Sequence, residues 1–175
     1  TIRGSAGGTV IDGGSTNGGY GVVLNGVTGV ELRDLTITNA YEGVEIKGDF
    51  YTGSSRNNSL SNLTIRSVRG SGVRIENSSN TRMDFLDLSG GSTGIRIYHS
   101  TGNRVANSAI RHHGGDGIYA EYFSLDNSVM NCTIAFNGGK QVAMKDCQSL
   151  ISVSNSILVA SGPWSASSSP PRPRP

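Results

Sequence analysis

Side chains able to do chemistry are scarce in this sequence, and most of them recur in step. Charged residues make up only 16% of the chain. Counted from a repeated Gly-Val or Gly-Ile pair, one series of positions reads Val23, Glu45, Arg74, Arg96, Tyr119 and Ala143. Two residues further on, a second reads Asn25, Lys47, Glu76, Tyr98, Glu121 and Lys145. A third, just before the pair, reads Tyr20, Glu42, Ser71, Thr93, Asp116 and Lys140. Such a mixture suits a polymer of acidic sugars. Tyr rings stack on pyranose faces, and Arg and Lys pair with uronate carboxylates as forks or point charges. Glu and Asp accept hydroxyls or bind Ca²⁺, the one cofactor these residues allow and none of them demands. β-Elimination from a uronate needs little more than a base for the proton α to the carboxylate and a cation on that carboxylate. Arg74, Arg96, Lys140 and Lys145 offer those roles, with Tyr119 or Tyr98 as proton donor. The same side chains also read as cross-strand pairs of an ordinary solvated sheet, Glu45 beside Arg74 and Glu76 between Lys47 and Tyr98.

The series require an element that brings every copy to one surface, and a repeat supplies it. The pair recurs as Gly21-Val22, Gly43-Val44, Gly72-Val73, Gly94-Ile95 and Gly117-Ile118, with Gln141-Val142 as a degenerate copy. Steps are about 22 to 24 residues, a solenoid period; the longer second step places extra residues in a polar and aromatic loop, 48–58. In phase with the pair run Leu32, Leu60, Met83, Val105, Val129 and Val153, then Ile37, Ile65, Leu88, Ile110, Ile134 and Leu158. Between them stand Asp34, Asn62, Phe85, Asn107, Asn131 and Asn155. Each repeat holds three short alternating segments and no helical periodicity. The L-x-x-L-x-L frame of leucine-rich repeats is missing. The pattern predicts an all-β solenoid of six to seven coils, three short strands each, every strand stacking in parallel on its counterpart about 4.8 Å away. Alternation turns Val44 and Ile46 inward and Glu45 and Lys47 outward. The Asn column fits a bend, because Asn tolerates left-handed angles and its amide can bond the Asn above and below. Phe85 interrupts that ladder and is expected to tuck into the core.

The Gly-Val/Ile-x-Ile and Asn-x-x-Ile repeats, with the opening Thr1-Ile2-Arg3-Gly4 and Gly8-Thr9-Val10-Ile11-Asp12-Gly13-Gly14, resemble the right-handed parallel β-helix repeats of the pectin-lyase-like superfamily. The resemblance covers about residues 1–160. It implies the handedness, and a substrate lying across the sheet built by the Gly-Ile-x-Ile strands. Within that sheet Glu45, Lys47, Arg74, Glu76, Tyr98, Glu121 and Lys145 are the expected substrate-binding side chains, and Arg96, Asp116, Tyr119 and Lys140 the expected catalytic ones. Gly115-Asp116-Gly117-Ile118 resembles the Asp-Gly-Ile segment bearing an acidic catalytic residue in polygalacturonase-like hydrolases. Here, though, Lys140-Gln141 occupies the place of that family's second acidic pair, and the Gly-His-Gly segment is missing. The Asp-Pro-His segment of uronan epimerases is missing as well. Lyase-type cleavage of an anionic polysaccharide is therefore the favoured expectation. Its rival is a non-enzymatic β-helix, structural, adhesive or carbohydrate-binding.

Composition trims the alternatives. With 25 glycines, an apolar fraction of 35% and net charge +2, the chain lacks the high net charge of disordered sequences. No apolar run is long enough for a membrane helix. Basic residues alternate with acidic ones without a single-sign stripe, which argues against nucleic acid as partner. Cys132 and Cys147 are expected to be free, mostly buried thiols. His112-His113 is read as a solvated turn, and no zinc, P-loop or dinucleotide pattern appears. The Asn-x-Ser/Thr triplets are read as chance matches in an Asn- and Ser-rich chain. Residues 161–175, rich in Ser and Pro, read as a linker or tail. Thr1 at the start suggests a processed or excised chain, secreted or at a cell surface, with neighbouring domains or end-to-end self-association as expected partners beside the polysaccharide.

Overall fold

The computed structural model describes residues 1–5, 8–49, 55–146 and 148–160. Every strand pair in it is parallel. One sheet has six strands, Val22–Asn25, Val44–Lys47, Ser71–Glu76, Thr93–Tyr98, Ile118–Glu121 and Val142–Met144, stacked in chain order. A larger sheet of eleven strands forms the other two sides of each coil. Its strands Glu31–Ala40, Ser59–Val68 and Arg82–Ser89 turn the corner without a break. Later coils split at that corner into pairs such as Arg104–Ala106 and Ala109–Arg111. Non-consecutive pairing at fixed register, for instance Leu32 with Leu60 and Met83 with Val105, makes this a parallel β-helix of about six turns.

The core is a set of stacked columns. Leu32, Leu60, Met83, Val105 and Val129 are buried, as are Ile37, Ile65, Leu88, Ile110 and Ile134, and Ile46, Ile75 and Ile97. In the last described coil the same columns lose their cover, and Val153 and Leu158 are 41% and 47% exposed.

Each corner of the larger sheet is made by the expected bend residue. Asp34, Asn62, Phe85, Asn107, Asn131 and Asn155 all have φ between 44° and 60°. The amide of Asn62 donates to Asp34 Oδ1 (2.9 Å), that of Asn131 to Asn107 (3.2 Å) and that of Asn155 to Asn131 (2.8 Å). Phe85 departs from expectation. A left-handed corner aims its Cβ outward, so the ring is 61% exposed rather than in the core. Without an amide there, Asn107 turns to Asp84 Oδ1 at 2.7 Å.

The glycine column has a different cause. A Cβ on Gly94 would lie 2.3 Å from Ile110 Cγ2 and 2.4 Å from the Gly117 carbonyl, and Gly21, Gly43 and Gly117 meet the next coil just as closely. Only glycine lets successive coils approach at this edge of the six-stranded sheet.

Cys132 is a free, buried thiol as expected; Cys147 lies outside the described residues, as do residues 50–54 of the loop and the tail 161–175. The histidine pair divides. His112 is exposed and stacks on Phe136 (centroids 5.5 Å apart), whereas His113 is 2% exposed, so the solvated-turn reading holds for only one of the two. His113 Nδ1 accepts the Gly91 N–H at 3.1 Å, and the His113 backbone N–H donates to Asn137 Oδ1 one coil on.

Candidate functional site

The six-stranded sheet presents the expected columns in register: Glu45 opposite Arg74, Arg74 opposite Arg96, Arg96 opposite Tyr119. Lys47, Glu76, Tyr98 and Glu121 line up in the same way two residues along. Outward direction does not mean exposure, however. Glu45 and Glu121 are 5% and 4% exposed, because the longer cations of adjacent coils fold over them.

Two charge clusters result. In the first, Arg74 lies among three carboxylates: Glu76 Oε2 at 2.5 Å, Glu45 Oε1 at 3.8 Å and Glu42 Oε1 at 3.9 Å. Lys47 Nζ reaches Glu45 Oε2 at 3.2 Å. Burial would lower the Arg74 pKa, but Glu76, Glu42 and Glu45 outweigh it and hold the guanidinium charged. In the second, Glu121 gathers a guanidinium, an ammonium and a phenol. Arg96 Nε donates to Oε1 at 3.2 Å and its Nη2 approaches the same oxygen closely; Lys145 Nζ and Tyr119 Oη each lie 3.2 Å from Oε2. Arg96 also sits over the Tyr119 ring, 5.9 Å from its centroid. Burial pushes the Glu121 carboxyl up, yet Arg96 and Lys145 prevail and keep it below its ordinary value. Burial and the Glu121 charge push the Tyr119 phenol up, so it keeps its proton. Lys145 is held protonated by Glu121.

Between the first cluster and Arg96 lies a shallow hollow of about 220 Å³, bordered by Tyr41, Glu42, Arg69, Arg74, Thr93 and Arg96. Glu42 is 4% exposed and accepts the Ser71 N–H. Its burial pushes the carboxyl above the ordinary value, against the pull of Ser71 and Arg74. Glu42 belongs to the third series of the repeat, whereas Arg69 falls outside all three. The signal was available for Glu42, since the residue before each Gly pair opens the strand at the sheet's edge. Arg69 belongs to the turn ahead of it, where no periodicity speaks.

The remaining expected residues are placed elsewhere on the face. Asp116 Oδ1 accepts the Lys140 backbone N–H at 2.7 Å, so one carboxylate oxygen is committed to joining two coils. The Lys140 residue itself is exposed. Tyr98 packs on Tyr122 with ring centroids 5.0 Å apart. Among the described residues no three His, Cys, Asp or Glu side chains gather into a metal-holding group.

Comparison with known proteins extends the fold. The sequence matches a family model described as right handed beta helix region over residues 20–169. No curated protein matches it. Similar solved structures include the A-module of the mannuronan C-5 epimerase AlgE4 from Azotobacter vinelandii, at 13% identity and a TM-score of 0.63, covering 81% of this chain and 50% of that one. An alginate lyase from Paenibacillus sp. str. FPU-7 aligns at 14% identity and a TM-score of 0.43, over 91% and 80% of the two chains. This chain therefore spans half the length of the epimerase module, and at such identity the likeness is one of fold. With parallel sheets wound around one stacked core and a family match across most of its length, the chain belongs to the right-handed β-helix family, within the pectin-lyase-like superfamily.

Proposed function

We propose that this β-helix acts on an acidic polysaccharide laid across the outer face of its six-stranded sheet, cleaving it by β-elimination. The observation that carries the reading is the row of cations at the hollow, Arg69, Arg74 and Arg96, beside a phenol that keeps its proton. Successive coils advance about 4.8 Å, close to the length of one pyranose residue, so a chain running along the helix axis meets one coil per sugar. Arg74 and Arg96 then pair with uronate carboxylates, and Tyr98 and Tyr122 offer ring faces. Arg96 neutralises the carboxylate next to the proton to be removed. Lys145 and Arg74 are held charged by their glutamates, and the base is assigned to Lys140, exposed on the same face. Tyr119 delivers its proton to the departing glycosidic oxygen. That the epimerase module sharing this fold acts, by its name, on mannuronan supports the ligand class. An extracellular place of work follows from such a substrate.

A second reading, a binding or adhesive module without cleavage, draws support from the same contacts. Glu121 restrains Arg96, and Asp116 is tied to a backbone N–H.

The test is incubation with pectate, alginate, chondroitin and hyaluronan, with Ca²⁺ or with chelator, followed by size and by ultraviolet absorbance of unsaturated uronates. Shorter, absorbing products are expected, with a loss of roughly 100-fold on Arg96→Ala in a variant whose circular dichroism is unchanged. Shorter products without absorbance would replace elimination by hydrolysis and return attention to Asp116. Polymers left intact but bound would establish the second reading.

A further inference from the structure

We infer a second anion-binding site, on the larger sheet, where Arg82 and Arg104 stand in register on adjacent coils. The segment 77–81, which includes the short strand Ser78–Ser79, separates it from the strand carrying Arg74 and Glu76. Ser59 precedes the two arginines in the column and Ser128 follows them, so no acidic side chain adjoins them coil to coil. Like charges directly opposite on paired strands repel. Where arginines stand opposite one another elsewhere, Arg3 with Arg33 and Arg74 with Arg96, each has a carboxylate within 4 Å. Arg82 and Arg104 form no ion pair among the described residues, and Arg104 Nη2 instead lies 2.9 Å from Met130 Sδ, a weak acceptor. Asp84, two residues beyond Arg82, takes the Asn107 amide at 2.7 Å.

These arginines border a concave space of about 780 Å³ whose other walls include Asn57, Asn58, Ser59 and Asn80. Every side chain on that wall is polar, with Gly102 between them. Asn58 is buried and rigid, its amide bonded to Val30 N and Val27 O at 2.9 and 3.1 Å. Asn57 and Asn80 are held at φ 53° and 56° on the corner above the hollow. Two arginines on strands about 4.8 Å apart can swing their guanidiniums onto one carboxylate or sulfate, while amides and hydroxyls meet the sugar that bears it. The site takes an oxyanion, free or carried on an acidic glycan. The glycan source rests on the function proposed above, whereas the oxyanion site does not.

The experiment uses the full chain with labelled arginine side chains. Inorganic sulfate and trigalacturonate are titrated separately while the Arg82 and Arg104 Nε–H signals are followed by NMR. Wild type is compared with Arg82→Gln/Arg104→Gln and with Arg96→Ala. Saturable shifts at Arg82 and Arg104 are expected, unaffected by Arg96→Ala, and the affinity read at the backbone amides of Asn80 and Ser128, which line the same hollow, should be at least about tenfold weaker in the double glutamine variant. A response to sulfate alone makes the ligand a small oxyanion; a response to trigalacturonate makes it a glycan. Failure of trigalacturonate to bind anywhere would count against the proposed function and leave the sulfate response standing. Silence of both arginine signals towards both probes, or binding undiminished in the double variant, overturns the site. Because the glutamines remove repulsion, the variant should fold at least as well as wild type, and a melting curve checks this.

Discussion

His113 and Glu121 show how one side chain can set the pH behaviour of this protein. Burial lowers the His113 pKa from 6.5 to about 4, with backbone contacts from Leu88 and Gly91 opposing it. The folded state therefore favours the neutral ring, while the unfolded chain takes up a proton first as pH falls. Stability from this residue is complete above pH 6.5 and drains away down to about pH 4. The loss is on the order of 3 kcal/mol. Glu121, held below its ordinary 4.5, contributes stability that is present above that value and is lost as pH falls through its lower folded value. Glu42 works in the opposite sense. Its raised pKa makes its contribution complete below 4.5 and weaker as pH rises through the folded value. His113→Asn places at that position the residue found one coil on at Asn137. It should flatten the decline in urea-unfolding stability between pH 6.5 and 4; an unchanged slope would show that another group sets it.

Among the elements, the corner of the larger sheet is the most exacting. A residue there must adopt a left-handed conformation, and if it is Asn or Asp it joins a ladder of side-chain hydrogen bonds. Phe85 meets the first condition at a steric cost and fails the second. Since its ring is already 61% exposed, little burial is lost by replacing it. Phe85→Asn should stabilise the protein by about 1 kcal/mol through eased backbone strain and a restored ladder. A lower melting temperature in the variant would show that the ring does something there that its exposure conceals.

Taken whole, the molecule is a stack in which each coil touches only its neighbours. Its stability is a sum of coils and interfaces rather than one all-or-none core. Central coils are covered on both sides, as full burial of Leu60, Ile65 and Ile95 shows. The last described coil leaves the inward-facing Val153 and Leu158 41% and 47% exposed. Native-state hydrogen exchange should be slowest for the strands Ser59–Val68 and Thr93–Tyr98 and fastest for Ile157–Val159. Uniform protection along the stack would mean that something covers the final coil, and its dependence on protein concentration would reveal end-to-end association.

By itself, the sequence determined the coil, the columns and the sides they face. Alternating apolar residues at a constant step admit one register, since a slip of one residue would turn Ile46 and Ile75 to solvent. The charged face was legible for the same reason: Glu45, Arg74, Arg96 and Tyr119 follow from counting. Tertiary structure alone decided what covers what. It buried Glu121 beneath Arg96, left Phe85 outside, enclosed His113 and set Arg82 against Arg104 without a carboxylate to share. Periodicity encodes the direction of a side chain from its strand, whereas burial and charge balance depend on side chains a full coil away, whose reach no local pattern records.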